Sequence, residues 1–160
     1  MIDFHTDILP LRDCVFRLAL RITLDRHEAE DIAQETFVRV WERREQWSEI
    51  ENIQAYCLSV CHRLAVDHVR QRQLHAQKEP EIAEYQRAAL LTQEPDERID
   101  LIRQQMDQLP AVQRTVMQLR DIEGLRYDEI AQATGLTETQ VKVYLHRART
   151  RIKEMCLSHN

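Results

Sequence analysis

Glycine is almost missing from this chain, with two residues in 160, and proline occurs only four times. So few backbone punctuators leave little room for a turn-rich β architecture. Apolar residues instead recur at three- and four-residue spacing over long stretches, the period of helices that bury one face. The expectation is an all-α protein. The pattern divides into a block reaching about residue 74, a polar stretch over 75–95 holding Pro80 and Pro95, and a second block over 96–160. This reads as two small helical domains joined by a linker, with a weak helical patch near 82–91.

Helices are expected near 10–23, 28–45 and 53–74 in the first block, and near 96–107, 111–121, 127–134 and 138–156 in the second. Asp25 with Glu28 three residues on forms a capping-box pattern, Asn52 is placed to cap the third helix, and Pro110 suits the first position of its own. Between the second and third helices, 46–51 reads as a short loop containing Trp47.

The sharpest local signal is YDEIAQATGLTETQVKVYLHRARTRIK. Gly135 ends one short helix, and Thr137 with Gln140 makes a capping box for the next, while Leu136 and Val141 are spaced as a hydrophobic staple. Two helices joined so tightly form a helix-turn-helix. Val141, Leu145, Ala148 and Ile152 fall on one stripe, leaving Thr139, Lys142, Val143 and His146 outside. That outer face suits a major groove: Thr139 and Val143 against thymine methyls, Lys142 and Gln140 toward base edges, and Arg147, Arg149, Arg151 and Lys153 toward phosphates. A plain basic helix in an ordinary bundle is the bland alternative.

The formal net charge is −5, which argues against a chain that coats itself in nucleic acid, yet the charges are segregated. They are all positive from Arg147 to Lys153 and largely acidic over 25–35 and 79–100, implying separate surfaces for separate partners. In the second helix, Ile32, Ala33, Phe37 and Val40 form an inner stripe. Asp31, Glu35, Val38 and Glu42 then line up outside with Gln34 at the border, an acidic ridge unsuited to DNA. In the third helix Ile53, Cys57, Val60, Cys61, Leu64 and His68 share the inner stripe. Tyr56, Ser59, His62, Arg63, Val66 and Arg70 share the other, where aromatic and cationic groups suit phosphate contact and base stacking on a separated strand. His68 reads as a hydrogen-bonded core residue, and Tyr56 or Trp47 could equally be core aromatics.

Two stretches then carry a family resemblance. The run Leu109-Pro110, Arg114 to Leu119, Glu123 to Ala131, Val141-Lys142 and His146 to Arg149 resembles region four of extracytoplasmic-function sigma factors. Ala29 to Trp41, with its A-x-D-x-x-Q-x-x-F pattern, resembles region two of the same family. The resemblance implies a sigma factor that binds core RNA polymerase and delivers it to promoter DNA. Residues 1–74 would serve core polymerase and the −10 element, and residues 96–160 the −35 element and the β flap. Asp31, Gln34, Glu35, Val38 and Glu42 would grip the β′ clamp helices. The loop from Trp47 to Asn52, with Tyr56, His62, Arg63 and Arg70, would hold the melted non-template strand. Thr137, Thr139, Gln140, Lys142, Val143, His146, Arg147, Arg149 and Arg151 would form the −35 reading surface. An anti-sigma factor is implied as a further partner. The chain departs from the family pattern at Gln140 and Val143, where a small hydroxyl residue is usual, and at Tyr56 and Arg63, where Trp and Asn are usual.

Nothing in the sequence resembles an active site: there is no phosphate-binding glycine loop and no nucleophile-base pair, so no catalytic residue and no cofactor is expected. Cys14, Cys57, Cys61 and Cys156 read as reduced and mostly buried thiols. A metal site of Cys57 and Cys61 with His62 or His68 is the less favoured reading, and no metal is expected. No apolar run is long enough for a bilayer, and the N-terminus lacks a secretion-signal pattern, so a cytoplasmic protein without membrane insertion is expected. Two rivals stand beside the sigma reading: a polymerase-independent helix-turn-helix regulator, and a module whose basic helix binds an acidic protein. The acidic linker, with Glu79, Glu81 and Glu84, is expected either to keep the free chain compact or to discourage its DNA binding until polymerase is present.

Overall fold

The computed structural model describes residues 1–76 and 97–158, and the linker readings at Glu79, Glu81, Glu84 and 82–91 lie outside them. Every regular element among the described residues is helical. A π-helical turn (Phe4–Ile8) and a 3-10 turn (Leu9–Leu11) lead into α1 (Arg12–Thr23), which ends where Leu24 takes a left-handed conformation, φ 56°. Helix α2 (Arg26–Glu42) starts two residues earlier than its periodicity suggests, because the Asp25 carboxylate accepts from the Glu28 amide at 3.0 Å and holds the first turn. It also ends earlier, since the expected loop is a 3-10 helix, Arg44–Glu49.

Helix α3 (Ile53–Ala76) starts at its expected residue, with the Asn52 side chain accepting from the Ala55 amide. The second block supplies α4 (Glu97–Asp107), α5 (Ala111–Met117), α6 (Tyr127–Thr134) and α7 (Glu138–Ser158). Two details differ from expectation. Pro110 has an extended ψ of 145° and precedes α5 instead of opening it. Residues 118–122, expected to continue that helix, form a π-helical turn.

Val15, Leu18 and Ala19 of α1, Ile32, Ala33 and Val40 of α2 and Cys57, Leu58, Cys61 and Ala65 of α3 make the N-terminal core. Val116, Leu119, Leu125, Ile130, Val141 and Leu145 of the second block continue it as one apolar cluster, and Met106, Leu109 and Ala148 are buried as well. The two domains are packed together: α6 lies on α3, and α5 lies on α1. Cys14, Cys57 and Cys61 are buried, the Cys61 thiol donating to the Val15 carbonyl, and Cys156 is exposed. His68 is not a core residue; its side chain is 41% exposed and faces Glu28 at 3.2 Å. No described helix is long and apolar enough to cross a membrane.

Candidate nucleic-acid interface

The turn before the recognition helix forms by reciprocal hydrogen bonds. The Thr137 hydroxyl accepts from the Gln140 amide at 3.1 Å, and the Gln140 side-chain oxygen accepts from the Thr137 amide at 2.9 Å. Gly135 ends α6 at φ 80°, a conformation open to glycine because a Cβ there crowds the following carbonyl. Val141, Leu145 and Ala148 then turn inward and are buried, so Thr139, Lys142, Val143 and His146 are exposed together.

The cations expected to meet phosphates differ in their engagements. Arg149 grips Asp121 with Nε and Nη2, and that hydrogen bonding raises its pKa further. Arg147 lies over the Tyr144 ring at 5.8 Å, and Lys142 Nζ stands 5.4 Å from the Tyr127 ring. Arg151 and Lys153 are exposed. Gln140 spends its side-chain oxygen on the cap, which leaves its amide nitrogen as the group able to meet a base edge.

On α2 the residues Asp31, Gln34, Glu35, Val38 and Glu42 are all exposed. Arg39 Nε pairs with Glu35 at 3.1 Å and offsets part of the acidic character. The ridge is also more apolar than its sequence suggests. Trp41, one turn beyond Val38, is 46% exposed beside Val38 at 50%. Phe4 packs edge-on against Trp41 at 5.5 Å, and the Arg44 guanidinium covers the indole at 4.7 Å. The signal for Trp41 was its three-residue spacing from Val38, hidden because tryptophan is ordinarily assigned to the core.

The third group is not gathered on an open face. Trp47 is buried, its indole N–H donating to the Val40 carbonyl at 3.0 Å. The expectation of a strand-reading aromatic at Trp47 is therefore corrected: the 3-10 turn folds it inward, where a carbonyl at the end of α2 satisfies the N–H. Asn52 donates to the Glu129 carboxylate of α6, and Tyr56 and His62 are half-buried beside the same helix. Burial lowers the pKa of His62, partly countered by the Ala133 carbonyl. Arg63 and Arg70 are exposed, Arg70 at 3.8 Å from Asp67. Arg72 pairs with Glu28.

The fold is that of an all-helical protein of two domains, with an exposed acidic and partly apolar face on α2 and a helix-turn-helix whose second helix, α7, exposes Thr139, Lys142, Val143 and His146. The sequence matches the family "Sigma-70 region 2" over residues 8–75 and "Sigma-70, region 4" over residues 99–152. The chain therefore belongs to the sigma-70 family, within its extracytoplasmic-function group. Similar proteins include the ECF RNA polymerase sigma factor SigE of Mycolicibacterium smegmatis, 32% identical over 92% of this chain and 59% of that protein. SigW of Bacillus subtilis is 25% identical over 95% of this chain and 88% of its own length. Among solved structures, the fold resembles the sigma factor RpoE crystallised with the anti-sigma factor NepR from Bartonella quintana. That likeness has a TM-score of 0.79 at 19% identity and covers 96% of each chain.

Proposed function

We propose that this protein is a promoter-directing sigma factor: it binds core RNA polymerase, recognises −35 and −10 elements and helps hold the opened strand. The observation that carries this reading is the presence, on one chain and in this order, of an exposed Gln34–Val38–Trp41 ridge and a recognition helix. A helix-turn-helix alone occurs in many regulators, and the ridge gives the chain a second, non-DNA partner. The ridge meets the β′ clamp helices, the C-terminal domain meets the β flap, and complementary charge speeds and orients the encounter. Thr137, Thr139, Gln140, Lys142, Val143, His146, Arg147, Arg149 and Arg151 serve the −35 element. Asn52, Tyr56, His62, Arg63 and Arg70 serve the −10 strand. The protein acts by binding and has no catalysis of its own. It works in the cytoplasm, and an anti-sigma factor holds it in reserve, as the complex of its structural neighbour suggests.

Transcription by purified core polymerase tests this reading. Transcript starts mapped after overproduction supply the template, and initiation there should depend on added protein. Asp31→Ala with Gln34→Ala should weaken core binding. Initiation independent of the protein would favour the polymerase-independent regulator.

A further inference from the structure

The outer face of α2 ends in a tryptophan that neighbouring residues hold but do not cover. Trp41 stands one turn beyond Val38, and the two are 46% and 50% exposed. Phe4 meets the indole edge-on, with ring centroids 5.5 Å apart and planes at 80°. The Arg44 guanidinium lies 4.7 Å from the ring centroid, and its Nη1 donates to the Trp41 carbonyl at 3.2 Å. Trp47, buried in the 3-10 turn, approaches the same indole with ring centroids 5.9 Å apart. Three partners thus fix a side chain that keeps nearly half its surface open.

The π-helical turn that carries Phe4 is itself held in place. The Asp3 carboxylate accepts from the Thr6 amide at 3.1 Å, and the Asp7 carboxylate accepts from the Asp3 amide at 2.7 Å. Ile8, wholly buried, anchors the far end of the turn in the core. Phe4 is only half-buried. Between this turn and the end of α2 runs a groove of about 730 Å³, lined by Ile2, Phe4, Trp41, Arg44, Trp47 and Ser48 among others, and most of its surface is apolar. Trp41 is therefore both the last residue of the ridge and a wall of the groove. A partner lying along Gln34, Val38 and Trp41 reaches the groove without a gap. An indole already fixed costs that partner little ordering entropy, and aromatic anchors beside a pocket carry much of the energy of protein interfaces.

We infer that the turn before α1 belongs to the core-polymerase interface: the groove between Phe4 and Trp41 takes an apolar side chain from the polymerase surface that the α2 ridge grips, and Phe4 is the positioning residue that holds Trp41 for it. An apolar side chain is the occupant that fits, because the groove is mostly apolar and continues directly from the ridge. The inference rests on the core-binding role proposed for that ridge.

A dye on exposed Cys156 reports binding of core polymerase to the full chain by anisotropy, with no DNA present. Phe4→Ala removes a wall and frees the indole, and should weaken core binding about tenfold. Ser48→Phe leaves the walls in place and fills the groove from an exposed position, and should weaken binding by a similar factor. Because Phe4 acts through Trp41, Phe4→Ala should add little to Trp41→Ala, although each alone weakens binding. Circular dichroism should be unchanged in Ser48→Phe, which keeps the test decisive even where Phe4→Ala does not fold. Core affinity of Ser48→Phe equal to that of wild type overturns the groove as a docking site. Full additivity of Phe4→Ala with Trp41→Ala overturns the positioning role and leaves Phe4 a plain anchor of the fold. Anisotropy that rises on adding unlabelled chain, and no longer does so in Ser48→Phe, assigns the groove to a second copy and overturns the inference as well. Failure of the sigma reading shows separately, as wild-type protein that does not bind core polymerase at all.

Discussion

Replacing Gly135 by alanine isolates what the helix-turn-helix requires of its backbone. The residue ends α6 at φ 80°, and a Cβ built there meets nothing within 4 Å, so no packing clash contributes. The left-handed conformation costs an L-residue about 1–2 kcal/mol. Alanine also narrows the unfolded ensemble, which returns about 0.4–1 kcal/mol. The net expectation is destabilisation by about 1 kcal/mol, a shift of roughly 4–8 °C for a small domain unfolding as a unit. Gly124 is a matched control, at φ 76° with nothing within 4 Å of its Cβ. Circular dichroism melts of both variants should therefore shift by similar amounts. DNA binding should suffer more in Gly135→Ala, because the turn at 135 sets the angle at which α7 leaves α6. A Gly135→Ala protein as stable as wild type, or more so, would refute the reasoning.

Further expectations follow from the core and the interface. Burial pushes the Cys14 thiol up to about 11 and the Cys57 and Cys61 thiols up to about 12, so Cys156 alone should react quickly with a disulfide reagent at neutral pH, with the buried three following on denaturation. Trp47→Phe should destabilise by about 1–2 kcal/mol in urea titration, because the Val40 carbonyl loses its donor, while oligothymidine binding is unchanged. Packing of α6 on α3 should also depend on pH through His62, whose pKa burial lowers below the ordinary histidine value of 6.5. The packed form is fully stable above that value and loses stability as pH falls through it, since the unfolded form takes up the proton first. Thermal stability should hold steady above about pH 6.5 and fall as the pH drops below it, and His62→Gln should flatten that fall. Asp107, whose pKa burial raises, acts in the opposite sense nearer the carboxylate range.

Helices, caps and the turn at Gly135 were legible in the sequence because they rest on interactions only a few residues long. Scarce glycine and proline, apolar spacing, and side chains able to bond amides within one turn locate α1 to α3, α6 and α7 to within about three residues. Reading failed where the apolar period carries no record of the backbone's local form or of a side chain turning back on the preceding helix. Residues 118–122 kept a helical apolar pattern yet took a π-helical turn, a change their periodicity did not reveal. Trp47 reads as part of a short loop but is buried in a 3-10 turn, where the end of α2 offers its N–H a carbonyl.

Residue types and spacing by themselves determined the two helical blocks, the inward and outward faces of α2 and α7, and the family resemblance. Tertiary structure alone decided which faces stay open. The outer stripe of α3 is polar and would pass for a solvated surface, and no periodicity reveals that α6 lies upon it. Glu123 likewise reads as an ordinary charge in the sequence. Only folding sinks its carboxylate and makes it depend on Arg17, 106 positions earlier in the chain. Pairing at that distance depends on how two domains meet, and the hydrophobic period of either domain carries no record of it.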